Sequence, residues 1–260
     1  MFRQALEDFF GAVRFFTRLP VPAWVGHSAD GLNRSARYFP AVGLLIGLLA
    51  ALSFQIAALW LPRTLAVLVS MACTVRLTGA FHEDGLADTC DGFGGGWTPE
   101  QTLEIMKDSR LGSYGAIGLI LMLVGKFVAL LELPVLWLPA VLIAGHAVSR
   151  ACATTLLRTL DYVRADASSK SKPLATRLSG GGLLVAYGFA LLALLPLLAL
   201  EVAAVGAAIR GLLFAGLATW WCARLFRRRL GGYTGDCLGA TQQVSELAFY
   251  LGLLATWNGN

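Results

Sequence analysis

Long apolar runs separated by short polar links constrain this chain more than any other feature. A helix needs about 20 mostly apolar residues to cross the hydrocarbon core of a bilayer. Seven segments are candidates: 40–61, 64–81, 114–131, 134–156, 183–200, 202–222 and 238–257. The last starts polar and ends apolar, so a re-entrant or surface-lying course is left open for it. The runs predict an all-α, polytopic membrane bundle of about six to seven transmembrane helices.

Composition agrees with a membrane protein and excludes other classes. Hydrophobic residues make up 57% of the chain and charged residues 14%, where soluble domains carry about 25% charged residues. The five cysteines form no C-x-x-C pair, so neither a disulfide framework nor a zinc ribbon is expected. The net charge of +5 comes from cations beside the spans, so we expect membrane lipid and no nucleic acid as a partner. The oligomeric state, including a homo-oligomer, is left open.

The distribution of lysine and arginine predicts the orientation of the chain. Sixteen of the 21 fall in four regions that share one side of the membrane if the spans are real: 1–37, 82–112, 157–182 and 223–235. Only Arg63 falls in a link on the other side. Positively charged loops stay in the cytoplasm, so these regions are expected there, in one membrane domain covering residues 1–260. Residues 1–19 are expected to form an amphipathic interfacial helix that ends at Pro20.

A cluster of acidic residues follows the second span. Seven of the sixteen acids lie between Glu83 and Asp108. If this segment is helical, Asp84, Asp88 and Asp91 lie at i, i+4 and i+7 and share one face. Their carboxylates repel one another, and a bound cation would turn that repulsion into binding. Oxygen ligands suit Mg²⁺, so we predict Asp84, Asp88 and Asp91 as its ligands, with a plain solvated acidic loop as the alternative.

Two further segments carry polar residues next to spans. Lys107, Ser109 and Arg110 precede the third span, where an arginine can bind a phosphate through two hydrogen bonds and a lysine can act as a point charge. The alternative is a pair of cations that anchors the membrane edge. In the second segment, 223–246, Asp236 either caps a helix or adds to the metal site. Glu246 lies on a polar stripe of the last span.

Four cations lie inside apolar spans, where a charge is costly unless it faces a polar cavity or a partner. They are Arg76, Lys126, Arg150 and Arg210. Arg76 and Arg150 lie near span ends and could extend to the interface. Lys126 and Arg210 are deeper, and the sequence offers Arg210 no partner.

Several motifs taken together resemble the cobalamin synthase family, the adenosylcobinamide-GDP ribazoletransferases. They are residues 15–22, 79–92, 107–112 and 231–240, together with Phe39-Pro40 and Ser149-Arg150. The resemblance implies a Mg²⁺-dependent transfer in which α-ribazole or its 5'-phosphate attacks adenosylcobinamide-GDP and GMP leaves. It also implies a bacterial inner-membrane enzyme whose active site faces the cytoplasm.

The resemblance and the residue chemistry together define a candidate site. The substrate-binding residues that we predict are Lys107, Ser109, Arg110, Lys126, Arg150, Thr234 and Glu246. The catalytic candidates, which could complete the metal shell or act on the attacking hydroxyl, are Asp91, Asp108 and Asp236.

Three other classes remain as alternatives. A membrane prenyltransferase would need a second aspartate-rich motif, and residues 223–246 hold only Asp236 and Glu246. A CDP-alcohol phosphotransferase would need arginine where Asp88 stands. A divalent-metal transporter, the non-enzyme alternative, predicts acids in the middle of spans.

Overall fold

The computed structural model describes residues 2–26, 28–164 and 175–256, and these residues form an all-helical chain. The helices are α1 (Phe2–Phe16), α2 (Ala29–Ser35), α3 (Phe39–Ala58), α4 (Arg63–Thr78), α5 (Phe81–Gly95), α6 (Pro99–Ile105), α7 (Ser113–Glu132), α8 (Leu138–Thr159), α9 (Gly180–Leu198), α10 (Val202–Leu230) and α11 (Gly235–Leu254). Single 3-10 turns precede α3 and α8. The polar stretch 168–173 of the predicted 157–182 region lies outside the described residues.

Five helical segments within the described residues are long and apolar enough to cross a membrane. They are Ala29–Ala58, Ser113–Glu132, Val135–Thr159, Gly180–Leu198 and Val202–Leu230. Helices α4 and α5 are long and apolar enough to cross a membrane only when they are taken together, and they are bent by 86° relative to each other. The polytopic helical bundle is therefore confirmed, with five spans, or six if the bent pair is counted as one.

The bend between α4 and α5 depends on two residues in the left-handed region of backbone space. Gly79 has a φ of 69° and Ala80 a φ of 58°, and the second value is unfavourable for a residue with a side chain. A Cβ on Gly79 would also lie 2.6 Å from the Arg18 side chain. The bend therefore directs residues 81–95 away from the axis of α4 as a second helix. Part of the predicted 82–112 loop is thus helical, so Asp84 and Asp88 do share a face.

Helix α11 differs from the seventh predicted span. It is long enough to cross a membrane but less apolar than the five spans, and it lies against α5, α7, α8 and α10. Gln242, Gln243 and Glu246 are buried within this enclosure. A helix that touches other helices rather than lipid can carry hydrogen-bonded polar groups in its core-facing positions. The described part of the seventh candidate segment, 238–257, is therefore a partly polar helix packed among four others, in keeping with its polar start.

Close packing holds the bundle together. Helices α3 and α8 cross at Gly43 and Gly47, where an added Cβ would collide with the α8 backbone at His146 and Ile143. Such contacts between small residues let helix backbones approach within a membrane. The predicted N-terminal helix is present as α1. Its Asp8 is buried and pairs with Arg34 at 3.2 Å and Arg37 at 2.8 Å.

Candidate active site

Two acidic motifs that are far apart in the sequence meet at the crossing of α5 and α11. Gly85 and Gly239 form the contact, because a Cβ on Gly85 would lie 3.0 Å from the carbonyl oxygen of Asp236 and 3.3 Å from the Cα of Gly239. These distances are shorter than most Cβ contacts in proteins, so glycine at both positions favours the close approach of the two backbones. The approach brings Asp236 beside the acidic face of α5. We call Asp84, Asp88 and Asp236, with the nearby Arg164, the acid cluster.

Electrostatic repulsion marks the acid cluster. Burial, together with the carboxylates of Asp236 and Asp84, raises the pKa of Asp88 to about 7. Burial is also the main reason why the pKa of Asp236 is raised, and the Asp84 carboxylate adds to it. Arg164 opposes both shifts. Three acids around one arginine leave an excess of negative charge that favours a cation.

Arg164 connects the acid cluster to the end of α6. Its Nη2 atom lies 2.9 Å from Oδ2 of Asp236 and donates to the carbonyl oxygen of Met106 at 3.2 Å. Segment 161–164 is held by backbone hydrogen bonds from Tyr233 to Asp161 at 2.9 Å and from Val163 to Tyr233 at 3.0 Å. Arg164 was not among the predicted residues, because it lies in a polar link that matches no motif.

Asp91, although it follows Asp88 on α5, is engaged elsewhere. Its two carboxylate oxygens accept the backbone N–H groups of Gly112 and Gly115, each at 2.8 Å. These N–H groups lie at the beginning of α7, where helical donors lack partners within the helix. Asp91 therefore joins α5 to α7. The predictions that it binds metal and acts as a catalytic acid or base are left untested, and this contact competes with both roles.

The exposed segment before α7 holds four predicted site residues, and two of them form an ion pair. Arg110 lies 2.5 Å from Asp108, is 88% exposed, and donates from Nε to both carboxylate oxygens at 3.0 Å. These hydrogen bonds lower the pKa of Asp108 to about 2. Ser109 between them is exposed. Asp108 thus pairs with its neighbour rather than with the acid cluster.

A second polar group, fully enclosed, lies where α5, α7, α8 and α11 meet. Glu246 is its centre: Lys126 Nζ lies 3.1 Å from one carboxylate oxygen, and Tyr250 donates to the same oxygen at 3.1 Å. Gln242 donates to the other oxygen at 2.5 Å, and Lys126 also donates to Gln243 at 2.7 Å. We call these five residues, with His146, Ser149 and Arg150, the buried network.

The buried network reaches α5 and the N-terminal helix. Gln243 donates to Glu83 at 3.0 Å, next to Asp84 of the acid cluster. Arg150 donates to the carbonyl oxygen of His146 at 2.9 Å, and its guanidinium lies 5.8 Å from the centre of the Phe16 ring. The network thus links the helices that position the acid cluster.

The structure places the predicted substrate-binding residues in different environments. Lys126, Arg150 and Glu246 belong to the buried network and are 6%, 2% and 4% exposed. Thr234 is buried at the start of α11, where its hydroxyl accepts the N–H of Cys237 at 3.3 Å and lies two residues before Asp236. Lys107 and Arg110 lie at the exposed end of the bundle. Glu83, Gln243 and Tyr250 were not among the predicted site residues. Glu83 and Gln243 meet only through the packing of α5 on α11, and Tyr250 donates to Glu246 one turn away on α11.

The acid cluster fits a hard cation but does not by itself enclose one. In the described ranges, no three His, Cys, Asp or Glu side chains are placed to hold a metal ion. Mg²⁺ is usually bound by one or two carboxylates, several waters and substrate phosphates. Asp84, Asp88 and Asp236 supply only carboxylate oxygens, which suits Mg²⁺ and not zinc.

Comparison with known proteins gives a consistent result. The cobalamin-5-phosphate synthase family matches residues 8–254. An adenosylcobinamide-GDP ribazoletransferase from Shewanella frigidimarina is 50% identical over 261 residues, covering 96% of this chain and 95% of that protein. One from Leptothrix cholodnii is 52% identical over 250 residues, covering 95% and 94%. No solved structure matches the chain.

Proposed function

We propose a reaction for this chain from the premise that it belongs to the cobalamin-5-phosphate synthase family and is a transferase of cobalamin biosynthesis. Its relatives are named for adenosylcobinamide-GDP as the substrate and for ribazole transfer. We infer that a ribose hydroxyl of α-ribazole, or of its 5'-phosphate, attacks the phosphorus that joins the corrinoid arm to GMP. The new O–P bond closes the nucleotide loop, the P–O bond to GMP breaks, and GMP leaves with the electron pair.

One observation carries the proposal: the convergence of Asp84 and Asp88 with Asp236 across the Gly85–Gly239 contact. Phosphoryl transfer depends mostly on positioning and on neutralising the charge that spreads over the phosphate oxygens. An excess of carboxylates at the end of a membrane bundle repels a diphosphate unless a cation lies between them. The cluster therefore supports a Mg²⁺-dependent reaction.

When bound, Mg²⁺ would supply positive charge to the diphosphate and stabilise the leaving GMP. Asp84 and Asp88 would hold it, and water and substrate phosphate oxygens would supply the remaining ligands. Arg164, which is already 2.9 Å from Asp236, would lie beside the same phosphate. Lys107 and Arg110 would bind the second phosphate from the exposed segment before α7.

The attacking hydroxyl must lose a proton, and the geometry favours Asp236 among the three catalytic candidates. Asp91 has both oxygens engaged at the start of α7, and Asp108 has both engaged by Arg110. Asp236 lies in the first turn of α11 within the acid cluster, where Arg164 binds its Oδ2 atom. Its Oδ1 atom can orient the hydroxyl and accept its proton.

Lys126, Arg150 and Glu246 would then act indirectly. We propose that they hold α5 and α11 in register from within the bundle rather than bind phosphate. The location that fits the proposal is the bacterial inner membrane with the acid cluster on the cytoplasmic side. The supporting observation is that Asp84 and Asp88 lie in the cation-rich region 82–112 and Arg164 lies in 157–182. Asp236 directly follows a third such region, 223–235.

The test is GMP release by the purified protein in a bilayer, with adenosylcobinamide-GDP, α-ribazole and Mg²⁺. Asp236→Asn should lower kcat by at least about a hundredfold, or about 2.7 kcal/mol of transition-state stabilisation. Glu104→Gln is the matched control, because Glu104 is exposed on α6 and takes no part in the cluster. Normal turnover by Asp236→Asn would remove this residue from the site. Absence of GMP release by the unaltered protein would refute the proposed reaction.

A further inference from the structure

A large apolar groove lies between α8, α9 and α10, away from the acid cluster. Its volume is about 840 Å³. Small side chains form its floor, among them Ala151, Ala190 and Ala215. A Cβ on Gly216 would meet no atom within 4 Å, so this part of the groove is open space. None of the proposed catalytic residues lines it.

The groove opens on the lipid-facing side of the bundle. All three of its helices are membrane spans. Leu191 on its α9 wall is 60% exposed and Trp220 on its α10 wall is 61% exposed. Exposed apolar side chains on membrane spans contact lipid.

One end of the groove is strongly basic. Arg224, Arg227 and Arg228 lie in the last two turns of α10, and all three line the groove. Arg224 stacks over Trp220 at 5.9 Å, and Arg227 donates to the carbonyl oxygen of Thr159 at 3.3 Å. No acidic side chain is among the lining residues in the described ranges. No lining residue in the described ranges therefore neutralises the positive charge of these arginines at the rim of the groove.

We propose that this groove binds an anionic glycerophospholipid, with an acyl chain along α8, α9 and α10 and the phosphate on the arginines. Basic pockets between spans at the cytoplasmic side recognise anionic headgroups. From Leu212 to Arg224, α10 rises about 18 Å, close to the roughly 15 Å of half a hydrocarbon core. A second copy of the protein fits the groove less well. In a dimer with two-fold symmetry through this face, the groove arginines of one copy would lie against the same arginines of the other.

The experiment is native mass spectrometry of the whole protein from nanodiscs of equimolar phosphatidylglycerol and phosphatidylcholine. Arg224→Gln/Arg228→Gln should lower the ratio of bound phosphatidylglycerol to phosphatidylcholine about tenfold. The control is Arg158→Gln/Arg177→Gln, which removes the same charge from exposed arginines outside the groove and should leave the ratio nearly unchanged. Gly216→Leu fills the open space and should lower the amount of both bound lipids.

Three outcomes would overturn the proposal. The first is an unaltered protein with no preference for phosphatidylglycerol. The second is a preference that survives in Arg224→Gln/Arg228→Gln or is lost equally in the control. The third is a dimer that Gly216→Leu dissociates, which would make a second copy the occupant.

Discussion

The acid cluster and the buried network contain similar side chains but balance their charges differently. In the network, Glu246 faces Lys126 and accepts hydrogen bonds from Tyr250 and Gln242. In the cluster, Asp84, Asp88 and Asp236 share one arginine, and the pKa of Asp88 is raised to about 7.

This difference separates a structural role from a functional one. Glu246 is paired with Lys126 and has both carboxylate oxygens hydrogen-bonded, so it needs no ligand, whereas the adjacent carboxylates of the cluster destabilise the fold until a cation neutralises them. The two regions are adjacent in sequence at Glu83 and Asp84, yet Glu83 accepts from Gln243 of the network and Asp84 belongs to the cluster. Helix α5 thus presents a structural face and a reactive face.

The largest expected effect is on turnover. Asp88→Asn keeps the size of the side chain and removes its charge, so kcat for GMP release should fall about a thousandfold, or about 4 kcal/mol. Membrane insertion should be retained, and the melting temperature should not fall below that of the metal-free unaltered protein. Activity within tenfold of the unaltered protein would mean that the cluster is not the reaction site.

The next effect is on stability, and it should come from the buried network. Glu246→Gln leaves Lys126 without a counter-charge in the bundle, and breaking a buried pair from one side costs about 3–5 kcal/mol. Lys126→Met/Glu246→Gln removes both charges and should recover much of that stability. Thermal unfolding in detergent measures both variants. A stable Glu246→Gln protein that has lost turnover would instead place Glu246 in the reaction.

A smaller effect tests whether the cluster extends to the segment before α7. Arg110 already binds Asp108 through more than one hydrogen bond, a geometry that lysine cannot reproduce. Arg110→Lys should lower kcat/KM about tenfold, or about 1.4 kcal/mol, and Lys107→Arg should lower it less. If both variants keep the kcat/KM of the unaltered protein at saturating Mg²⁺, the segment anchors the membrane edge and phosphate is bound elsewhere.

The sequence predicted features that depend on local spacing. The apolar runs predicted the helical bundle, and the i, i+4 spacing predicted that Asp84 and Asp88 share a face. It could not predict that Asp91 would accept hydrogen bonds from Gly112 and Gly115, because that contact depends on where α7 begins. Lys126 and Glu246 are 120 positions apart, and only the packing of α7 on α11 pairs them.

Apolar content was also an incomplete guide to the spans. Helix α11 has 20 residues and is long enough to span, but it is less apolar than the five spans and packs among other helices. Apolar content also did not indicate the surroundings of Arg210. Its Nε atom is buried without a hydrogen-bond partner among the described residues, and its backbone packs against Gly252 of α11.

Mg²⁺ should relieve the repulsion within the acid cluster, and the melting temperature measures this relief. The ordinary pKa of an aspartate is near 3.8, and that of Asp88 in the folded protein is about 7. The folded state therefore binds the proton more tightly than the unfolded chain, and ionisation of Asp88 weakens the fold as the pH rises from about 4 to about 7.

The decisive measurement is thermal unfolding at pH 8 with and without Mg²⁺, for the unaltered protein, Asp88→Asn and the control Glu104→Gln. Without Mg²⁺, Asp88→Asn should melt above the unaltered protein. Mg²⁺ should then raise the melting temperature of the unaltered protein and of Glu104→Gln by about 2–4 °C, and that of Asp88→Asn much less. An equal Mg²⁺ response in all three proteins, or a lower melting temperature for metal-free Asp88→Asn, would show that Mg²⁺ does not relieve repulsion at Asp88.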